Sequence, residues 1–239
     1  ECLKSKSTFY TQDMVSNARN NAVKFDWAKK MKDDTLQRAD AYLEQGVQAL
    51  WSLITSQSIP RSIDVCNLGC PVCGTKIFKE FGNFSWKSDV FESPWKISCP
   101  SCNSIFPSND FEAYYKSGLG KNGFFEPDKA DPTLLKNELY PDKPEDWCVD
   151  DGYGWVDENN RHWKFIAYYN HMALWSLDRN TEGNIIKALN AFSDAYIYTG
   201  LEKYAQAGLI MLDRIADVYP FMDLSVYKDS DGYFNSHGH

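Results

Sequence analysis

Four cysteines in two C-x-x-C pairs, Cys70-Pro71-Val72-Cys73 and Cys99-Pro100-Ser101-Cys102, constrain this chain more than any other feature. Each pair places two sulfurs on one tight turn, and two such turns facing each other close a tetrahedral metal site. The residues after each second cysteine, Gly74 and Asn103, suit the turns because both tolerate positive φ. The pairs are 25 residues apart, beyond the usual separation of about 15–20, so an extra loop is expected between them. Zinc is the expected ion, with iron the alternative; two disulfides or buried free thiols are the plainer reading. A site closed by four cysteines has no open coordination position, so it staples a fold and catalyses nothing by itself.

Cys2, Cys66 and Cys148 complete a total of seven cysteines. An odd number argues against a disulfide framework. Cys66, four residues before Cys70, is a competing ligand ranked below the other four. The 239 residues suffice for one large domain or two small ones, and no apolar run is long enough to span a membrane. A formal net charge of −8 weighs against a protein that grips nucleic acid through bulk charge. Aromatic content is 15%, with 8 Trp and 14 Tyr. Such an excess serves a sugar-stacking surface or a large helical core equally well. Glu1-Cys2-Leu3-Lys4 shows neither an initiator Met nor the apolar segment of a signal peptide, so a processed or excised chain is expected.

Four regions follow from the pattern. Residues 1–60 read as a helical hairpin, with helices over 11–31 (Met14, Ala18, Ala22, Phe25, Ala28) and 33–56 (Leu36, Ala39, Leu43, Val47, Leu50, Ile54). Thr11 is the expected N-cap, and Ser58-Ile59-Pro60 the stop. Residues 61–112 read as a zinc-ribbon-like insertion with short β-prone pieces, Lys76-Ile77-Phe78 and Trp95-Lys96-Ile97. Residues 113–160, rich in Gly, Pro and Asp, form an irregular loop region. Residues 161–239 supply helices over about 162–178, 182–198 and 202–218, with Gly200 as a cap between the last two, and then a polar cleft loop. The fold expected is mainly α: an incomplete (α/α) toroid of helical hairpins with a small four-cysteine insertion, truncated at the C-terminus.

Several segments then carry a resemblance. Phe9-Tyr10-Thr11, Trp51-Ser52-Leu53-Ile54, Ser58-Ile59-Pro60-Arg61, the two cysteine pairs with Trp95-Lys96, Phe106-Pro107-Ser108-Asn109-Asp110-Phe111, Tyr168-Tyr169-Asn170-His171 and Asp213-Arg214-Ile215-Ala216-Asp217-Val218-Tyr219-Pro220 stand in order. Together they resemble the N-terminal part of heparinase II/III-like polysaccharide lyases. The resemblance implies β-elimination of a uronate-containing polysaccharide, alginate or a glycosaminoglycan such as heparin, hyaluronan or chondroitin. It implies an incomplete toroid whose remaining half and β-sandwich domains, the rest of the parent polypeptide, are partners in activity. The fragment alone is therefore expected to be incomplete as an enzyme.

Lyase chemistry needs the uronate carboxylate neutralised while a base takes the α-proton and an acid protonates the leaving oxygen. The resemblance points to Asn170 and His171 for neutralisation and proton transfer, and to Tyr227 or Tyr233 as catalytic phenols. Tyr169, Asn235, His237 and His239 are candidate substrate contacts. The alternative for Asn170 and His171 is packing within a helical core. His162 is expected at a helix start on the surface. Asp229-x-Asp231-Gly232 begins like a calcium loop but lacks the later ligands, so calcium is not expected. The rival functions are a non-catalytic glycan-binding or scaffold module and a zinc-ribbon interaction module, the latter disfavoured by the acidic balance. Polymer-degrading lyases are exported, so a secreted or periplasmic location is expected, although thiolate metal sites also suit the cytoplasm.

Overall fold

The structure, a computed structural model, describes residues 9–63, 65–177 and 182–222. The chain is mainly helical. In order it forms α1 (Gln12–Lys24), α2 (Asp26–Glu44), α3 (Gly46–Ser52), α4 (Val65–Leu68) and α5 (Lys76–Phe81). The strands β1 (Ile97–Ser98) and β2 (Ile105–Phe106), α6 (Phe111–Ser117), and the strands β3 (Trp155–Val156) and β4 (His162–Trp163) follow. Then come α7 (Phe165–Tyr168), a π-helical turn (Tyr169–Trp175), α8 (Asn184–Thr199) and α9 (Glu202–Val218). Among the described residues no helix is long and apolar enough to cross a membrane.

Two compact units divide the chain: Glu1–Ser52 with Lys187–Arg214, and Leu53–Ile186 with Ile215–His239. This grouping cuts across the four sequence regions. The N-terminal helices associate with most of α8 and α9, while the cysteine pairs share a unit with the irregular loops.

In the first unit Thr11 caps α1 as expected, its side chain accepting from the Met14 N–H at 3.2 Å. The first helix does not run to residue 31. It stops at Phe25, whose backbone is extended (φ −127, ψ 130), and α2 starts at once at Asp26. The second expected helix also breaks, at Gly46, where φ is +82 and glycine is the residue that adopts it without strain. Ala22, Ala28, Ala39 and Leu50 are buried, while Met14 and Val47 of the expected stripes face outward. Gly200 ends α8 as expected, with φ +70 and its N–H on the Tyr196 carbonyl at 2.7 Å. Arg19 donates from Nε to the Ile197 carbonyl at 2.8 Å, so a cation from α1 meets the negative end of α8. Asp40 accepts from Lys203 Nζ at 2.8 Å and from the Tyr204 hydroxyl at 2.9 Å. The lysine bond chiefly holds the carboxyl below its ordinary value.

The second unit is built on aromatic rings. Trp95, at φ 61, packs against Phe111, Tyr115 and Tyr169 with centroids 4.9, 4.8 and 5.6 Å apart. Phe106 stacks on Phe165 at 5.0 Å. Much of the aromatic excess is therefore core. The irregular region is pinned by polar groups, buried at Asn109 and Asp150 and more exposed at Tyr140. Asn109 donates to the Asp150 carbonyl at 3.1 Å and accepts its N–H at 2.9 Å. The Tyr140 hydroxyl accepts from the Ile105 N–H at 2.8 Å and donates to the Ile105 carbonyl at 3.0 Å. Of the expected β-prone piece Trp95-Lys96-Ile97, only Ile97 lies in a strand, β1, which pairs with β2. Lys76-Ile77-Phe78 is helical instead, opening α5, which buries Ile77 and ends at Gly82 (φ +81).

Candidate functional site

Two matching turns bring the four cysteines together. In the first, the Cys70 N–H bonds the Gly74 carbonyl at 3.1 Å and the Gly74 N–H bonds the Cys70 carbonyl at 2.8 Å. In the second, the Asn103 N–H bonds the Cys99 carbonyl and the Cys99 N–H bonds the Ser104 carbonyl, both at 2.9 Å. Gly74 (φ 73) and Asn103 (φ 59) take the positive φ that each turn needs. Gly69 is required for a second reason, since a Cβ there would lie 2.6 Å from the Gly74 carbonyl oxygen.

The sulfurs of Cys70, Cys73, Cys99 and Cys102 all lie within 4.8 Å of one another. Cys70 and Cys102 are 3.7 Å apart, and Cys73 and Cys99 3.6 Å, so neither pair is a disulfide. A tetrahedron with metal–sulfur bonds of about 2.3 Å has edges of about 3.8 Å, and the donor set fits that shape. The Val72 N–H points at Cys70 Sγ at 3.4 Å, and Ser104 Oγ lies 3.3 Å from Cys102 Sγ. Burial pushes the Cys70 thiol up, and burial with bonding to the neighbouring thiols pushes Cys73 up to about 11. Burial opposes ionisation of Cys102 too, but bonds from the Ser104 hydroxyl and N–H outweigh it and hold that thiol near 7. Four sulfurs this close ionise together only around a cation. The side chain of Cys66, and Cys2, lie outside the described residues.

The Tyr168–His171 segment behaves differently from expectation. Asn170 is fully buried on the π-helical turn. Its oxygen accepts from Thr55 Oγ1 at 2.7 Å, and its amide donates to the carbonyls of Ile59 and Pro60 at 3.0 and 2.9 Å. Both amide protons are spent on the protein, so Asn170 presents no donor to a uronate carboxylate. Thr55 also accepts from Trp175 Nε1 at 2.9 Å, and Arg61 lies over the Trp175 ring at 5.8 Å. Tyr169 is buried as well, and burial raises its hydroxyl above the ordinary phenol value. The expected substrate contact from Tyr169 is thus a core contact with Trp95. His171 alone of the three is partly exposed. The expected helix over 162–178 is replaced by β4, α7 and the π-helical turn. His162 is exposed, on β4 rather than at a helix start, and its Nε2 donates to the Tyr153 carbonyl at 2.7 Å. Tyr227, Tyr233, Asn235, His237 and His239 lie outside the described residues.

Sequence reasoning passed over Asp150, a wholly buried carboxylate. It accepts from the N–H groups of Gly152, Gly154 and Ile166 at 2.7, 2.9 and 3.0 Å. Burial nonetheless pushes it up to about 6. Its polar loop surroundings gave no sign of burial. Comparison with protein-family models, curated proteins and solved structures found no match.

Proposed function

We propose that the four cysteines hold one structural zinc ion and that the protein is a polysaccharide lyase acting on a uronate polymer by β-elimination. The observation that supports the lyase reading is the convergence of segments far apart in sequence that carry the resemblance. Asn170 ties Tyr168–His171 to Ser58–Arg61 through the Ile59 and Pro60 carbonyls. Trp95 packs on Tyr169 and on Phe111. His171 is then the described residue that transfers a proton, with Tyr227 or Tyr233 as partner. Neutralisation of the uronate carboxylate falls to groups other than Asn170. Zinc is favoured over iron because a closed four-thiolate site needs no redox role to be useful as a staple.

The test is incubation of the full-length protein with alginate, heparin, hyaluronan and chondroitin, following absorbance of the unsaturated product. At least one polymer gives a rise, and His171→Ala lowers the rate by about 10²–10⁴-fold. No rise with any of them contradicts the lyase reading. A second reading, a non-catalytic glycan-binding or scaffold module, draws support from the burial of Asn170 and Tyr169. It predicts polymer binding without product.

A further inference from the structure

The four clustered sulfurs differ in their access to solvent. Cys70 and Cys99 are buried, at 2% and 0% exposure, while Cys73 and Cys102 are partly exposed. Each turn thus holds one buried and one exposed thiol. The two sulfur contacts join them crosswise: Cys70 to Cys102 at 3.7 Å, and Cys73 to Cys99 at 3.6 Å. Every contact therefore runs from one turn to the other, and sets a buried sulfur behind an exposed one.

Sulfur chemistry gives that arrangement a consequence. The solvent-facing thiolate is the one that a small oxidant reaches first. Attack of the Cys102 thiolate on hydrogen peroxide gives a sulfenic acid and one hydroxide. The Cys70 thiolate, in contact behind it, then attacks the sulfenic sulfur, forming the S–S bond and expelling a second hydroxide. The same two steps join Cys73 to Cys99. In total, four thiolates and two peroxide molecules give two disulfides and four hydroxide ions. Zinc exchanges no electrons, so sulfur alone is oxidised, and an ion deprived of its four ligands is released.

The backbone decides which disulfides are worth forming. Bonds within Cys70–Cys73 and within Cys99–Cys102 would leave the two turns untied from each other. The crosswise bonds span 32 and 26 positions, and a cross-link over a long loop restrains the unfolded chain more than one over a short loop. Each contact closes to a disulfide by a movement of less than about 2 Å. We infer that the four cysteines form a two-state staple: thiolate ligands of a metal when reduced, and the disulfides Cys70–Cys102 and Cys73–Cys99 after reaction with a hydroperoxide. The metal-bound state rests on the zinc reading above; the crosswise oxidation does not. A staple of this kind holds in reducing and in oxidising surroundings alike.

Treatment of the reduced, purified protein with excess hydrogen peroxide tests the inference, read by a chromogenic zinc chelator and by mass spectrometry of non-reduced peptides. The peptides show Cys70 joined to Cys102 and Cys73 joined to Cys99, with one metal ion released per chain. Dimedone present during oxidation marks Cys73 or Cys102. The oxidised, metal-free protein melts several degrees above the reduced, metal-free protein. Disulfides within Cys70–Cys73 or Cys99–Cys102, dimedone on Cys70 or Cys99, or sulfinic acids without disulfides each overturn the inference. So do thiols that survive the peroxide, or equal melting of the two metal-free forms. Reduced protein that carries no metal sinks the zinc reading alone, because the disulfide map still decides the crosswise oxidation.

Discussion

Asn170 spends its whole amide on the protein, and that decides what it does. Thr55, Ile59 and Pro60 take its oxygen and both its protons. Truncation leaves a buried hydroxyl and two carbonyls short of partners, each worth about 1–3 kcal/mol when orphaned. Asn170→Ala is therefore expected to lower the urea midpoint strongly, and an unchanged midpoint contradicts the packing role. Asp150 makes a pH-dependent prediction. Its carboxyl is raised from 3.8 to about 6 by burial, so the folded state holds the proton more tightly than the unfolded chain. Its stabilising contribution is complete below 3.8 and is lost as pH rises through about 6. Stability relative to Asp150→Asn should fall across that window, by at most about 3 kcal/mol; a difference independent of pH rules this out. The Asp150 environment was hidden in the sequence, because Asp-Asp-Gly reads as a surface turn until Ile166 folds over it.

At the scale of elements, the most legible parts were those with a stereochemical signature. Gly74, Asn103 and Gly200 stand where positive φ is required, and the turns and the α8 end fall there. Boundaries without such a signature were not legible. Phe25 breaks the first helix although no Gly or Pro marks it, and α2 crosses the expected gap at Lys32. Lys76–Phe81 is too short for periodicity to separate strand from helix, and burial of Ile77 decided it. The π-helical turn has no local code: contacts from Thr55, Ile59 and Pro60 to Asn170 hold it. Arg19 gives an element-scale prediction. Arg19→Ala uncaps the α8 carbonyls of Ile197 and Tyr196, at a cost of about 1 kcal/mol. Thermal denaturation should show a Tm lower by a few degrees, and an unchanged Tm means the cap is replaced by water.

At the scale of the molecule, the two cysteine pairs lie within a unit whose remaining strength is aromatic. The strand β1 ends one residue before Cys99, and β2 pairs with it while holding Tyr140 through both polar groups of Ile105. A metal held at the four sulfurs would thereby fix the hairpin, and the hairpin the loop around Tyr140. The sequence pattern identified the four cysteines that cluster because the signal lies in their spacing. It did not reveal what the site supports, since Ile105 and Tyr140 are 35 positions apart. Metal content with residue-resolved thiol alkylation is the most direct measurement. The account predicts one zinc per chain, with Cys70, Cys73, Cys99 and Cys102 protected until a strong chelator strips the metal. A purified protein with neither zinc nor iron, and with those four thiols freely alkylated, contradicts it.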